Sequence, residues 1–157
     1  NITKDTVVHG ATPVVAGGLE PAYFHNTSNT KSPAITISAS GANAGFTRLY
    51  FEDVWASDCS FIDLSVTPYV YFYYLFLMNK KDEIARLQRG SAQPHVYPKD
   101  LMELKIAVPQ EFLMSDFHEH VRTVFELVGH LTRKHQNLST TRDLLIPQLV
   151  TGKRELN

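Results

Sequence analysis

The sequence predicts an α+β protein: a small mixed-sheet domain over residues 1–110, then one long C-terminal helix of coiled-coil type within residues 111–157. Three observations predict it. Up to Pro109, short apolar runs are broken by Gly, Pro, Asn and Ser, the pattern of short strands and turns. One apolar run of helical length, Tyr69 to Met78, stands among those strands without the regular alternation of a doubly wound sheet. After Pro109, Gly and Pro nearly vanish until Pro147, and apolar residues recur at helical spacing.

Taken in order, β-branched and aromatic content between turn residues predicts strands at Pro13 to Val15, Ala34 to Ser38, Phe46 to Phe51, Trp55 to Asp58 and Phe61 to Leu64. Residues 69–78 follow Pro68 and alternate poorly, so they read as a buried helix. Lys80 to Leu87 reads as its continuation or as a second short helix. Leu104 to Val108 reads as a last strand, closed by Pro109.

The helical part carries the clearest pattern. Met114, Phe117, Val121, Val124, Val128, Leu131, His135, Leu138, Arg142, Leu145 and Leu149 are spaced alternately three and four apart. That is the a/d seam of a coiled coil, held for about five heptads. A straight helix over roughly 112–145 would run ~50 Å, too long for a domain of this size to cover. The seam therefore calls for a partner helix, and Phe117, Val121, Val124, Val128, Leu131, His135, Leu138, Arg142 and Leu145 are the expected interface. His135 and Arg142 occupy a positions, where polar residues lower stability and restrict register. Pro147 is expected to kink or end the helix, and Gly152 suits a stop.

Composition narrows the function classes. A length of 157 residues, with 43% hydrophobic and 20% charged, fits one soluble domain plus an appendage and argues against disorder. The net charge of -1 advertises no bulk positive field, so any nucleic-acid binding must be local. Cys59 is the sole cysteine, which excludes a disulfide framework and a Cys-rich zinc site and fits a cytoplasmic setting. No stretch is long and apolar enough to span a bilayer, and no signal peptide is visible. The chain starts at Asn1 rather than methionine, and residues are expected to precede it.

Catalytic patterns are missing. There is no P-loop, no dinucleotide-binding glycine pattern, no nucleophile elbow and no zincin motif. His118 and His120 are two apart on a helix and face different ways, and His130 and His135 are no better placed, so no metal site is expected. Asp100, Glu103 and Lys105 give a faint nuclease-like D-x-x-E-x-K. The plainer reading is that Asp100 caps a short turn and Lys105 sits on a strand surface. A binding subunit, not an enzyme, is the expectation.

Three polar, small-residue segments could do the binding. The first is Ala16-Gly17-Gly18 with Tyr23, His25, Asn26, Thr27, Ser28, Asn29 and Lys31. The second runs from Ser38 to Gly45, with Arg48 just after. The third is Arg89-Gly90-Ser91-Ala92-Gln93-Pro94-His95. Each joins glycine to donors suited to base edges or phosphates: Arg for guanine, Asn or Gln for adenine, backbone amides for phosphate oxygens. Such loops are also ordinary connections, so composition leaves both readings open.

The order of motifs resembles one half of the specificity subunit of a type I restriction-modification system: a target recognition domain followed by a conserved spacer helix. Thr12-Pro13-Val14-Val15-Ala16-Gly17-Gly18 with Tyr23-Phe24-His25-Asn26 is similar to that family's YPVYGGGG…GYHD opening. The segment Ala34 to Gly45 is similar to its glycine-containing strand and turn, and Val54-Trp55-Ala56-Ser57-Asp58-Cys59 to FWASDC. Gly90-Ser91-Ala92-Gln93-Pro94-His95-Val96 with Lys99-Asp100-Leu101 is similar to G(S/T)xQPxI…KDL. The run from Leu138 through Arg142-Asp143-Leu144-Leu145-Ile146-Pro147 to Gly152 is similar to NLxxxRDxLLPxLxSG. Two features depart from the family. Leu113-Met114-Ser115-Asp116 replaces its EEQ, and the chain holds one recognition domain and one helix where the family has two of each.

The resemblance implies a non-catalytic protein that reads one half of a split double-stranded DNA target. It implies an antiparallel partner helix, methyltransferase subunits that bind S-adenosylmethionine, and a translocating nuclease subunit. This half is then expected to homodimerise, or to pair with a second half, and so to read an interrupted palindrome. Matching to the family does not say which residues read bases. By chemistry the expected DNA contacts are Gly17, Gly18, His25, Asn26 and Lys31 in the first loop, Ser40, Asn43 and Arg48 near the second, and Arg89, Ser91, Gln93 and His95 in the third. For Gly41, Gly45 and Trp55, turn geometry and core packing are expected instead. The alternatives are a specificity chain of another restriction-modification class, a helical interaction protein without a DNA role, and a small nuclease built on Asp100, Glu103 and Lys105.

Overall fold

Short strands dominate the first third of the chain. The computed structural model describes Ile2 and residues 5–153. Strand β1 (Thr12–Val15) pairs antiparallel with β2 (Tyr23–His25) and parallel with β5 (Trp55–Ala56), giving a mixed sheet in the order β2-β1-β5. Strand β3 (Ala34–Ser38) lies antiparallel between β4 (Thr47–Tyr50) and β6 (Cys59–Asp63) in a second sheet. All five residues of β3 are buried, which explains its unbroken run of small and β-branched residues: both faces are covered.

Strand β5 is two residues long, yet its main-chain groups are satisfied on both sides. β1 pairs with one edge. On the other, the Asn29 amide brackets Ala56: Nδ2 donates to the Ala56 carbonyl at 2.9 Å, and Oδ1 accepts from its N–H at 2.7 Å. Thr30 Oγ1 makes the same pair of bonds with Val54, at 2.9 and 3.0 Å. Two side chains thus stand in for a strand and close the edge.

Helix α1 (Val70–Asn79) packs over the second sheet, and α2 (Lys81–Arg86) follows after Lys80 as a separate helix. Ile35 and Ile37 of β3 meet Val70, Leu77 and Ile84 in a core flanked by Leu49, Ile62 and Phe76. Ile35, Val70 and Ile84 are fully buried, each contributing ~1.5–3 kcal/mol of burial.

Several expectations are corrected. Residues 104–108 pair with no strand. Leu104 and Ile106 are half-buried while Lys105, Ala107 and Val108 are exposed, so the alternation survives without strand pairing. The segment at Tyr23 to His25, read as loop, is a strand. Trp55 to Asp58 keeps only Trp55 and Ala56 as strand, and β6 starts at Cys59, two residues before the expected Phe61. Asp100 does not cap a turn. It lies inside the four-residue helix α3 (Pro98–Leu101), and its carboxylate binds Arg89.

Helix α4 (Glu111–Val150) is 40 residues long, ~60 Å at 1.5 Å per residue. Pro147 does not end it. It falls in the last turn, where its missing N–H removes a single ladder bond and three further residues stay helical. The stop comes at Gly152, whose φ is 66°. Gly152 N–H donates to the Leu149 carbonyl at 3.2 Å and Lys153 N–H to the Gln148 carbonyl at 2.9 Å, the paired bonds of a Schellman cap.

By contacts the chain divides into residues 1–121 and 122–157. In the first unit, the opening turns of α4 rest on α1. Met114 is buried, Phe117 meets Phe72 edge-on, and His118 stacks on Tyr71 at 5.7 Å. Tyr69 donates to Glu111 Oε1 at 2.7 Å. In the second unit Val124, Leu127, Leu131 and Leu138 are each more than half exposed.

Candidate nucleic-acid interface

The three polar segments come from chain positions far apart, and the ends of β1 and β3 bring them together. β1 runs into Ala16, Gly17 and Gly18 as β3 runs into Ala39, Ser40 and Gly41. The contact is close: a Cβ on Gly17 would lie 2.6 Å from the Ser40 carbonyl oxygen, so only glycine fits. Asn43 Nδ2 donates to the Gly17 carbonyl at 3.0 Å. The third segment joins through the backbone. Gly41 N–H donates to the Pro94 carbonyl at 3.0 Å, Val96 N–H to the Ala39 carbonyl at 2.9 Å, and Ser40 bridges His95.

Side chains complete the cluster. Ser40 Oγ donates to Asp58 Oδ2. Ser57 N–H donates to the Val15 carbonyl and Ala39 N–H to the Asp58 carbonyl, so the β5–β6 turn is the fourth wall. The Arg48 guanidinium donates to the Leu19 carbonyl and lies 5.3 Å over the Tyr50 ring. Burial pushes the Tyr50 hydroxyl pKa up, partly offset by Arg48, so the ring under the cation is neutral. Burial drives the Cys59 thiol up to about 12, helped by Asp58 and opposed by a hydrogen bond from Ser57, so Cys59 adds no charge here. Arg89 binds Asp100 Oδ1 at 2.7 Å, and His95 stacks on Tyr97 with centroids 6.0 Å apart.

Of the expected DNA contacts, the structure gathers Gly17, Gly18, Ser40, Asn43, Arg48, Arg89, Ser91, Gln93 and His95 at this end of the strands. Gly18, Ser91 and Gln93 are exposed; Gly17, Ser40, Asn43 and Arg48 are half-buried and engaged internally. Three others stand apart. His25 pairs with Thr12 at the opposite end of the β1–β2 hairpin. It is buried against Trp55 at 5.3 Å, and its Nδ1 accepts the Val8 N–H at 3.0 Å. Asn26 follows it, exposed. Lys31 is exposed at the entry to β3, and its N–H donates to Asp63 at 2.7 Å.

Sequence reasoning missed Asp58 and Tyr97 as parts of the cluster. The signal for Asp58 was its place in the Trp55 to Cys59 motif, and for Tyr97 its place directly after the third loop. Gly41, with φ of 82° and open space around it, and Gly45, with φ of 83° and Ile84 Cγ2 only 2.9 Å from a Cβ, serve turn geometry and packing as expected.

On α4, Phe117 and Val121 are half-buried in the first unit. Val124, Val128, Leu131, His135, Leu138 and Arg142 are exposed, and Leu145 is half-buried. Arg142 pairs with its neighbour Asp143 at 2.8 Å, which raises the Arg142 pKa and lowers that of Asp143.

Residues 1–121 thus form a mixed α+β unit that gathers three polar loops at one strand end, and beyond them α4 carries a row of exposed apolar residues. The chain belongs to the family described as the type I restriction modification DNA specificity domain, whose model matches residues 7–124. The type I restriction enzyme MjaIX specificity subunit of Methanocaldococcus jannaschii is 29% identical over 83 residues, 53% of this chain and 19% of that protein. The solved S subunit of a type I restriction-modification system from M. genitalium shares the fold, with a TM-score of 0.69 at 18% identity, over 95% of this chain and 41% of that one. The chain thus spans less than half the length of either.

Proposed function

We propose that this chain is a non-catalytic DNA-recognition half-subunit of a type I restriction-modification complex. The observation that carries the reading is the meeting of three distant polar loops at one end of the strands, within a chain of the DNA specificity family. Exposed Ser91 and Gln93 and the Gly18 turn supply neutral donors and acceptors of the kind that read base edges. Two cations at the site, Arg48 and Arg89, are engaged within the chain, and Lys99 Nζ lies 5.8 Å over the Tyr97 ring. Few phosphates would then be neutralised, so the isolated chain should bind DNA weakly and salt-sensitively.

Affinity would come from assembly. The seam through Val124, Val128, Leu131, Leu138 and Leu145 would receive a second copy or a second half, presenting two recognition units to a bipartite site. Methyltransferase subunits carrying S-adenosylmethionine would dock on this assembly, and a nuclease subunit would complete it, in the cytoplasm. The nuclease reading loses its first acid, since Asp100 is buried and bound to Arg89.

The test is DNA site selection from a random pool with the chain bound to its methyltransferase subunit, at two salt concentrations. Enrichment of one interrupted sequence is expected. A pool that stays random, with the complex intact, would sink the proposal.

A further inference from the structure

Residues 16–22 join β1 to β2 at the end of the strands where the three loops meet. The turn is pinned along its length. Asn43 Nδ2 donates to the Gly17 carbonyl, the Arg48 guanidinium to the Leu19 carbonyl, and Ala22 N–H to the Val14 carbonyl at 2.9 Å. Between these anchors the chain doubles back: a Cβ on Gly18 would lie 3.2 Å from the Glu20 carbonyl oxygen. The anchors hold main-chain groups and leave two large side chains outside. Leu19 is 51% exposed, and Glu20 beside it is exposed too. Among the described residues no hydrogen bond or ion pair engages the Glu20 carboxylate.

These two side chains also stand where the chain departs from its family's motif. Counted from Thr12, the eight letters of YPVYGGGG end at Leu19, so a leucine stands where the motif has its last glycine. Glu20 falls in the gap before the GYHD match. Ser91 and Gln93, by contrast, lie inside the matched segment G(S/T)xQPxI. Contacts made by residues that members share cannot tell one member's target from another's.

An ionised carboxylate accepts hydrogen bonds and donates none. Beside DNA it is repelled by phosphates and by every acceptor on a base edge, so it needs a donor to face. In the major groove its usual partner is the N4 amine of cytosine. Such a group selects twice, by the bond it makes to cytosine and by its clash with the oxygen of a guanine or thymine put in that place. An exposed apolar side chain next to it suits the methyl group of thymine. We infer that Leu19 and Glu20 are specificity-determining residues: Glu20 accepts from the N4 amine of one cytosine in the target, and Leu19 packs on the methyl group of a neighbouring thymine. The inference rests on the proposed recognition function and names two of the bases that function would read.

The test uses the full chain assembled with its methyltransferase subunit. The DNA site enriched from a random pool and its single-base variants are titrated, with a thermal melt for each protein. At one cytosine of that site, exchange for guanine or thymine should weaken binding by the parent about tenfold. Glu20→Ala should abolish that difference at that position alone, with its melt unmoved, and Glu20→Gln should move the preference there to adenine. At the neighbouring thymine, uracil, which lacks the methyl group, should bind the parent more weakly and Leu19→Ala equally well. The parent gives a reading that depends on no variant folding: a cytosine analogue without the N4 amine, placed at each cytosine in turn, should at one of them bind as weakly as thymine does there. The inference is overturned if Glu20→Ala keeps the parent's discrimination at every position, if it tightens binding to all the DNAs alike, or if the analogue is tolerated at every cytosine. Its Leu19 half falls if uracil binds the parent as thymine does. A parent complex that discriminates no sequence overturns the proposed function itself, whatever the variants do.

Discussion

Asn43 Nδ2 donates across 3.0 Å to the carbonyl of Gly17, tying together two loops that are 26 residues apart in the chain. Asn43 is half-buried, and the bond is polar, short-range and directional. Asn43→Ala should therefore cost about 1 kcal/mol in urea unfolding and lower discrimination by the assembled complex at the bases near the Gly17 turn. Asn43→Asp, which turns the donor into an acceptor facing a carbonyl, should cost more than the alanine.

Gly17 and Gly41 look alike in sequence and differ in what surrounds them. Gly17→Ala places a methyl 2.6 Å from the main-chain oxygen of Ser40, which cannot give way without moving β3. A loss of about 2–4 kcal/mol is expected. Gly41→Ala meets open space, so only the positive φ opposes it, at about 1–2 kcal/mol. Urea midpoints of the two variants should fall in that order.

Asp63 ends β6 fully buried, accepting from Lys31 N–H, Ser65 N–H and Ser65 Oγ at 2.7, 3.0 and 2.6 Å. Burial alone would raise its pKa, but these hydrogen bonds outweigh it and hold the carboxyl below the usual range. A carboxyl lowered in the folded state stabilises above its unfolded value of about 3.9. That contribution fades as the pH falls through the lower, folded pKa. Acid unfolding of the parent should steepen below about pH 4, and Asp63→Asn should be less stable at pH 7 with a flatter acid limb.

Cys59 should resist alkylation in the folded chain at pH 8, because its thiol sits near 12 and donates at 3.7 Å to the Val15 carbonyl. In urea it should react at the rate of a free thiol. Equal rates in both states would mean that the β5–β6 turn opens readily.

The proposed helix pairing has its own test in sedimentation equilibrium. The parent chain is expected to dimerise, and Val128→Asp with Leu131→Asp to be monomeric at the same concentration. Both residues are exposed in the single chain, so the substitutions should leave the folded recognition domain intact, while loss of the dimer should lower the melting temperature. A monomeric parent would reserve the seam for a separate second half.

What was legible in the sequence follows the strength of each physical signal. The seam spans ten alternating intervals, so α4 could be read to within a few residues of its start. β3 was legible to the residue because a buried central strand holds only small and β-branched residues between turn residues. β2 was not: three residues beside a polar loop carry no period, and only β1 makes them a strand. The alternation of Leu104 to Val108 misled because alternation reports burial, and Leu104 and Ile106 are half-buried without any strand pairing. At the candidate site, composition found the loops but not their couplings. Arg48 and Arg89 look like free readers in sequence, and Leu19 and Asp100, far along the chain, engage them.

The loops are anchored mainly through main-chain groups: Gly41 to Pro94, Val96 to Ala39, and Arg89 to His95 in both directions. Main-chain bonds are indifferent to side-chain identity. The frame that joins the loops therefore survives the exchange of an exposed side chain: a substitution at Ala42 or Ala92 leaves every one of these bonds in place.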